Sequence, residues 1–125
     1  MKKILIVFIM AVSLLGCSSE DSNSEVRIRL SNESKFNFQN ITVNTSTGNV
    51  NFDNLSPGGN TAYKTFEEAY AYAFIELQIE GKTYTIQPFD YVGETPLKKG
   101  NYTYQVTAND SQEQYGKLMM TLIKN

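Results

Sequence analysis

Glu67-Glu68-Ala69-Tyr70-Ala71-Tyr72-Ala73-Phe74-Ile75-Glu76-Leu77-Gln78-Ile79-Glu80 is the stretch on which the fold turns. Its Ala, Glu and Leu residues favour helix by intrinsic propensity. Its order opposes one. Ala69, Ala71, Ala73, Ile75, Leu77 and Ile79 fall on one side of an extended chain, while Tyr70, Tyr72, Phe74, Glu76, Gln78 and Glu80 fall on the other. A helix would scatter both sets around its circumference, whereas a strand keeps them apart. Glu80-Gly81-Lys82 then reads as a tight hairpin turn into Thr83-Tyr84-Thr85-Ile86. Strand is expected over 70–80, with a helical turn still open at 66–70.

Period two extends in both directions. Val26, Ile28 and Leu30 alternate with Arg27 and Arg29, as in a strand with one dry and one wet face. Phe36 and Phe38 share a parity that Ile41 and Val43 reverse, so a bulge or turn is expected near Gln39-Asn40. Val50 and Phe52 make a short strand, and Asn54-Leu55-Ser56-Pro57-Gly58-Gly59-Asn60 interrupts the chain with strong turn formers. Pro88 and Pro96 bracket a loop with room for a short edge strand. Leu118, Met120 and Leu122 alternate with Lys117, Met119 and Thr121 in a closing strand.

Between these lies Leu97-Lys98-Lys99-Gly100-Asn101-Tyr102-Thr103-Tyr104-Gln105-Val106. This L-x-x-G-x-Y-x-Y-x-V run resembles the turn and penultimate strand of bacterial immunoglobulin-like and fibronectin-III-like modules, and transthyretin-like sandwiches share it. The resemblance implies structural roles for Gly100 and for Tyr102, whose hydroxyl would bond backbone upstream as a tyrosine corner. The fold expected is all-β: an antiparallel two-sheet immunoglobulin-like sandwich of about seven or eight strands, with a small β-barrel as the alternative.

The N-terminus is a different kind of sequence. Met1-Lys2-Lys3 is positive, and Ile4 to Leu15 is apolar apart from Ser13. Twelve helical residues reach about 18 Å against roughly 30 Å of bilayer hydrocarbon, so length and charge order fit a secretory signal. The run ends in Leu14-Leu15-Gly16-Cys17, which resembles the lipobox of bacterial lipoproteins. That resemblance implies cleavage after residue 16 and lipidation of Cys17. Two or more acyl chains anchor stably where one is marginal. Residues 17–25 then form the lipidated Cys and a flexible acidic tether, and 26–125 the sandwich domain. The acidic pair Glu20-Asp21 also resembles the export signal of Bacteroidetes-type lipoproteins, which implies an outer-membrane location with display on the cell surface; a plain solvated linker is the alternative.

Composition excludes several functions. The chain has 125 residues with no His and one Cys. The usual nucleophile–base pair and multi-Cys zinc sites are therefore missing. Net charge is −2, and loss of the leader leaves 9 basic and 13 acidic residues, so a nucleic-acid partner is not expected. Asp53, Asp90 and Asp110 lack the spacing of a calcium loop. No catalytic residue, cofactor or metal site is expected, and the chain reads as no enzyme. The remote alternative is a glycoside hydrolase, built on Asp90 and Glu94 or on Glu67-Glu68.

Binding is the function that remains. Tyr91, with Asp90 and Glu94 in the Pro-bracketed loop, is the first candidate contact, because loops on rigid scaffolds commonly carry recognition. Tyr70 and Tyr72 would form a flat aromatic platform with Phe74 if that strand face pointed outward, and core if it pointed inward. The expected partners are the membrane, through the N-terminal lipid, and a protein or glycan. A structural or accessory subunit of an outer-membrane assembly is the alternative.

Overall fold

The computed structural model describes residues 25–88 and 94–125. The leader, Cys17 and the tether up to Ser24, together with Asp90 and Tyr91, lie outside the described residues. Eight strands follow in chain order: β1 (Val26–Asn32), β2 (Gln39–Asn44), β3 (Asn49–Phe52), β4 (Lys64–Phe66), β5 (Phe74–Ile79), β6 (Lys82–Ile86), β7 (Gly100–Ala108) and β8 (Leu118–Lys124). They form two four-stranded sheets, β4-β1-β7-β8 and β3-β2-β5-β6. The sheets do not close on each other, so this is a sandwich and not a barrel. There is no helix among the described residues, and 66–70 holds none: Phe66 closes β4 and the chain bends from there.

All pairings are antiparallel except one. β1 runs parallel to β7, from Val26 opposite Gly100 to Asn32 opposite Val106. Lettered in chain order, the sheets read D-A-G-H and C-B-E-F, where immunoglobulin constant-type domains read A-B-E-D and C-F-G. The sandwich is the expected architecture, and its first strand pairs with its seventh.

Local sequence explains the details. Val26, Ile28 and Leu30 are buried, while Arg27 and Arg29 stand on the outer face. The β2–β5 register shifts between Gln39 and Thr42, and Asn40 there adopts φ 52°, so the bulge absorbs the change of parity from Phe38 to Ile41. Glu80 (φ 53°) and Gly81 (φ 81°) form a two-residue hairpin loop between β5 and β6, with Ile79 opposite Lys82. Positive φ at both central positions matches the twist of the flanking strands.

β5 begins at Phe74, not at Tyr70. Ala73, Ile75, Leu77 and Ile79 face the core, with Phe74, Glu76 and Gln78 half-buried on the other side. Tyr70 and Tyr72 belong to the preceding loop, so the three rings share no strand face. The alternation Ala-Tyr-Ala-Tyr continues into a segment whose backbone pairs with no neighbouring strand. The core fills the space between the sheets, with Tyr104, Phe38, Ile28, Leu30, Ile41, Ile75 and Leu77 fully buried. Each aliphatic side chain there stabilises by about 1.5–3 kcal/mol.

Strand directions divide the loops between two ends. Glu25, the 45–48 turn, the 67–73 loop and 94–99 gather where the chain enters. There Gly100 N–H donates to Glu25 O and Leu97 N–H to Ala69 O. Tyr102 Oη donates to Lys98 O at 2.6 Å, and Gly100 has φ 145°, a conformation that favours glycine.

Candidate functional site

Tyr70 sits in the loop between β4 and β5 and is buried. Its hydroxyl donates to Glu68 Oε1 at 3.1 Å, while its backbone carbonyl accepts from Tyr104 Oη at 2.7 Å. Burial raises the phenol above its ordinary 10.0, the bond to Glu68 and that carboxylate's charge raise it further, and a bond with Ser46 partly opposes them. Tyr70 is therefore a fixed, neutral core residue and not part of an outward platform. Tyr72 is half-buried beside it. Of the paired carboxylates, Glu67 is exposed and Glu68 is held by Tyr70.

Three surfaces can take a ligand. The first is a groove of 440 Å³ at the entry end, lined by Glu25, Thr65, Glu67, Glu68, Pro96 and Lys99 among others. The second, of 420 Å³, is bordered by Ile86, Gln87, Pro88, Tyr115 and Leu118. Tyr115, 63% exposed, is its most accessible ring, and no periodic pattern in the sequence marks it. Glu94 is exposed and lines neither cavity. Asp90 and Tyr91 lie outside the described residues.

The third surface is the outer face of the β3-β2-β5-β6 sheet. Thr42 Oγ1 donates to Asn51 Oδ1 at 3.0 Å and Asn44 Nδ2 to Asn49 Oδ1 at 2.9 Å. Asn40 Nδ2 donates to Gln78 Oε1. In the register, Phe74 lies opposite Asn44, and Glu76 opposite both Thr42 and Thr85. Amides and hydroxyls are thus set in rows by cross-strand bonds, with one ring at a corner and one carboxylate. Such a face can exchange hydrogen bonds with a hydroxyl-rich or amide-rich partner. The abundance of Asn and Thr was the signal available in the sequence.

Sequence reasoning missed Lys117. It is only 3% exposed. Its Nζ donates to Asn109 O at 2.7 Å and Ser111 O at 3.0 Å, and lies 4.5 Å from the Phe36 ring centre and 5.2 Å from that of Tyr84. Carbonyl dipoles and ring faces replace water around the cation. The role is structural: the ammonium closes the β7–β8 loop, whose Gln114 O accepts from Thr85 N–H and so covers the edge of β6. Among the described residues no group of three or more Cys, Asp or Glu is placed to hold a metal.

No protein-family description matches this chain, and no curated protein does. Among solved structures the chain is similar to a protein from Eubacterium rectale determined by NMR. The likeness covers 83% of this chain and 91% of that one, with a TM-score of 0.54 and 14% identity. At that identity the likeness concerns the fold alone.

Proposed function

We propose that this chain is a lipid-anchored, non-catalytic binding module of the bacterial cell envelope, held at Cys17 and presenting its sandwich to a protein or glycan. The observation that carries the reading is the N-terminal segment. The one Cys in 125 residues stands where an apolar run of non-spanning length stops and an acidic, Ser-rich tract begins. Glu25 precedes β1 at one end of the sandwich, and the two outer sheet faces are separate from that end. The rows of Asn, Thr and Gln on one of those faces support recognition, and the tie between Glu68 and Tyr70 argues against a catalytic pair there.

Three experiments test it. Cells expressing the full chain and fed an alkyne fatty acid should label the protein, and Cys17→Ala should abolish the label. Protease treatment of intact cells should release the domain if it is displayed on the surface. A glycan array and a pull-down with the detergent-solubilised full chain should find a partner. Persistent labelling of Cys17→Ala, or silence in both partner screens, would overturn the corresponding part of the proposal.

A structural or accessory role is the second reading. β8 ends its sheet and carries Met119, which is 66% exposed, so an edge is present at which another chain's strand could add.

A further inference from the structure

The outer face of the other sheet, β4-β1-β7-β8, holds an arginine whose charge is fixed in place and unspent. Arg29 projects from the middle of β1, half-buried. Its Nε–H donates to Thr103 Oγ1 at 3.0 Å, and its guanidinium carbon lies 5.0 Å from the ring centre of Tyr63. Both supports are themselves held. Thr103 is 3% exposed and donates to Asn125 Oδ1 at 2.7 Å, and Tyr63 Oη donates to the same oxygen at 3.0 Å. One amide oxygen thus locks the ring and the threonine that orient the guanidinium.

The two ion pairs among the described residues join Arg27 to Glu25 and Lys35 to Asp110. Neither involves Arg29. A flexible surface arginine spends rotamer entropy whenever it meets an anion, whereas a stacked and bonded one has already lost it. With Nε engaged, the two terminal nitrogens remain as a planar fork, the geometry that grips a carboxylate with two parallel bonds. Arg27 lies two residues away on the same face, at about 6.5–7 Å along the strand, with its Nε 3.8 Å from Glu25. Asn101 and Gln105, which flank Thr103 on β7, share that face and offer amides.

We propose that this face binds a carboxylate-bearing glycan, its acid group held by Arg29 with Arg27 as the second cation, and its ring hydroxyls by the amides of Asn101 and Gln105. The inference rests on the glycan half of the binding function proposed above and names the class of sugar, a uronic acid. Neutral amides beside two cations suit a ligand whose rings each carry one carboxylate among several hydroxyls.

The test uses the full chain in detergent and two polymers with one backbone: polygalacturonate and its fully methyl-esterified form. The expected result is retention on polygalacturonate, weakening as salt rises, and no retention on the ester. Arg29→Gln should weaken binding at least tenfold. Arg29→Lys should fail to restore it, because a point charge lacks the fork. Arg27→Gln should cost about threefold and serves if Arg29→Gln does not fold. In the wild type, galacturonate should shift the Arg29 Nε–H resonance. Equal binding of both polymers, undiminished binding by Arg29→Gln, or an unmoved Arg29 resonance would each overturn the inference. Failure to bind polygalacturonate would do the same. A neutral glycan found on the array, unaffected by Arg29→Gln, would leave the broader glycan-binding function standing.

Discussion

The phenol of Tyr104 donates a 2.7 Å hydrogen bond to the backbone carbonyl of Tyr70, inside the core. Tyr104 comes from the centre of β7, and Tyr70 from the loop that leads into β5 in the opposite sheet. One hydroxyl therefore ties the two layers together at a place where no strand pairing does.

Tyr104→Phe keeps the ring and removes that donor. Because the carbonyl it leaves is buried, the expected loss is about 1–3 kcal/mol. Urea unfolding of a 25–125 fragment, which holds all eight strands, measures it. Amides of the 67–73 loop should exchange faster in the variant, and an unchanged midpoint would show the bond to be dispensable.

Tyr70 makes stability depend on pH in a defined direction. Its phenol is raised above 10.0 in the folded protein, so folding favours the protonated form. The contribution is complete below the ordinary value and is lost as pH climbs through the raised one. The difference in denaturant midpoint between wild type and Tyr70→Phe should be constant from pH 8 to 9, and above pH 10 the wild type should lose stability relative to the variant. A wild type that gained on the variant there would reverse the sign.

Lys117→Met retains the stem and removes the ammonium. Two carbonyls lose their donor and two rings lose their cation, for an expected cost of about 1–3 kcal/mol. Exchange at Thr85 N–H, which is bonded to Gln114 O in the loop that Lys117 closes, should accelerate more than exchange at Ile75 in the core. Uniform acceleration would mean that the loop and the sheet open together.

Glu80 occupies a left-handed conformation, at φ 53°. Glu80→Asn should stabilise by about 0.5–1 kcal/mol, since Asn-Gly is the preferred pair for this loop. Thermal unfolding reads the gain, and a loss would show that Glu80 makes a contribution beyond its backbone.

Features encoded by neighbouring residues are legible in the order of the amino acids. The Glu80-Gly81 hairpin, the bulge at Gln39-Asn40 and the alternation in β1, β7 and β8 all follow from spacing of a few residues. What depends on distant parts of the chain is not. The start of β5 at Phe74 is decided by where β2 ends, since Asn44 is its last partner. Lys117 is buried because Phe36 and Tyr84, from other strands and loops, happen to offer ring faces. The Arg29 network needs Tyr63, Thr103 and Asn125, and Thr103 alone is 74 residues away. On the surface, the same separation hides a site: Arg27 and Arg29 read as the wet side of a strand until their neighbours are known.

The parallel contact of β1 with β7 has a kinetic side. The first strand finds its central neighbour only when a segment 74 residues downstream arrives, and until then β1 has only the short β4, opposite Val26 to Ile28, and the bonds of Leu30 to Asn32 with residues 59–61. Closing so long a loop precedes the reward of the contacts, which places the refolding time in the millisecond-to-second range. A nascent chain halted before Gly100 would stay loose and threadable, and would snap into its final shape only once its tail had been delivered.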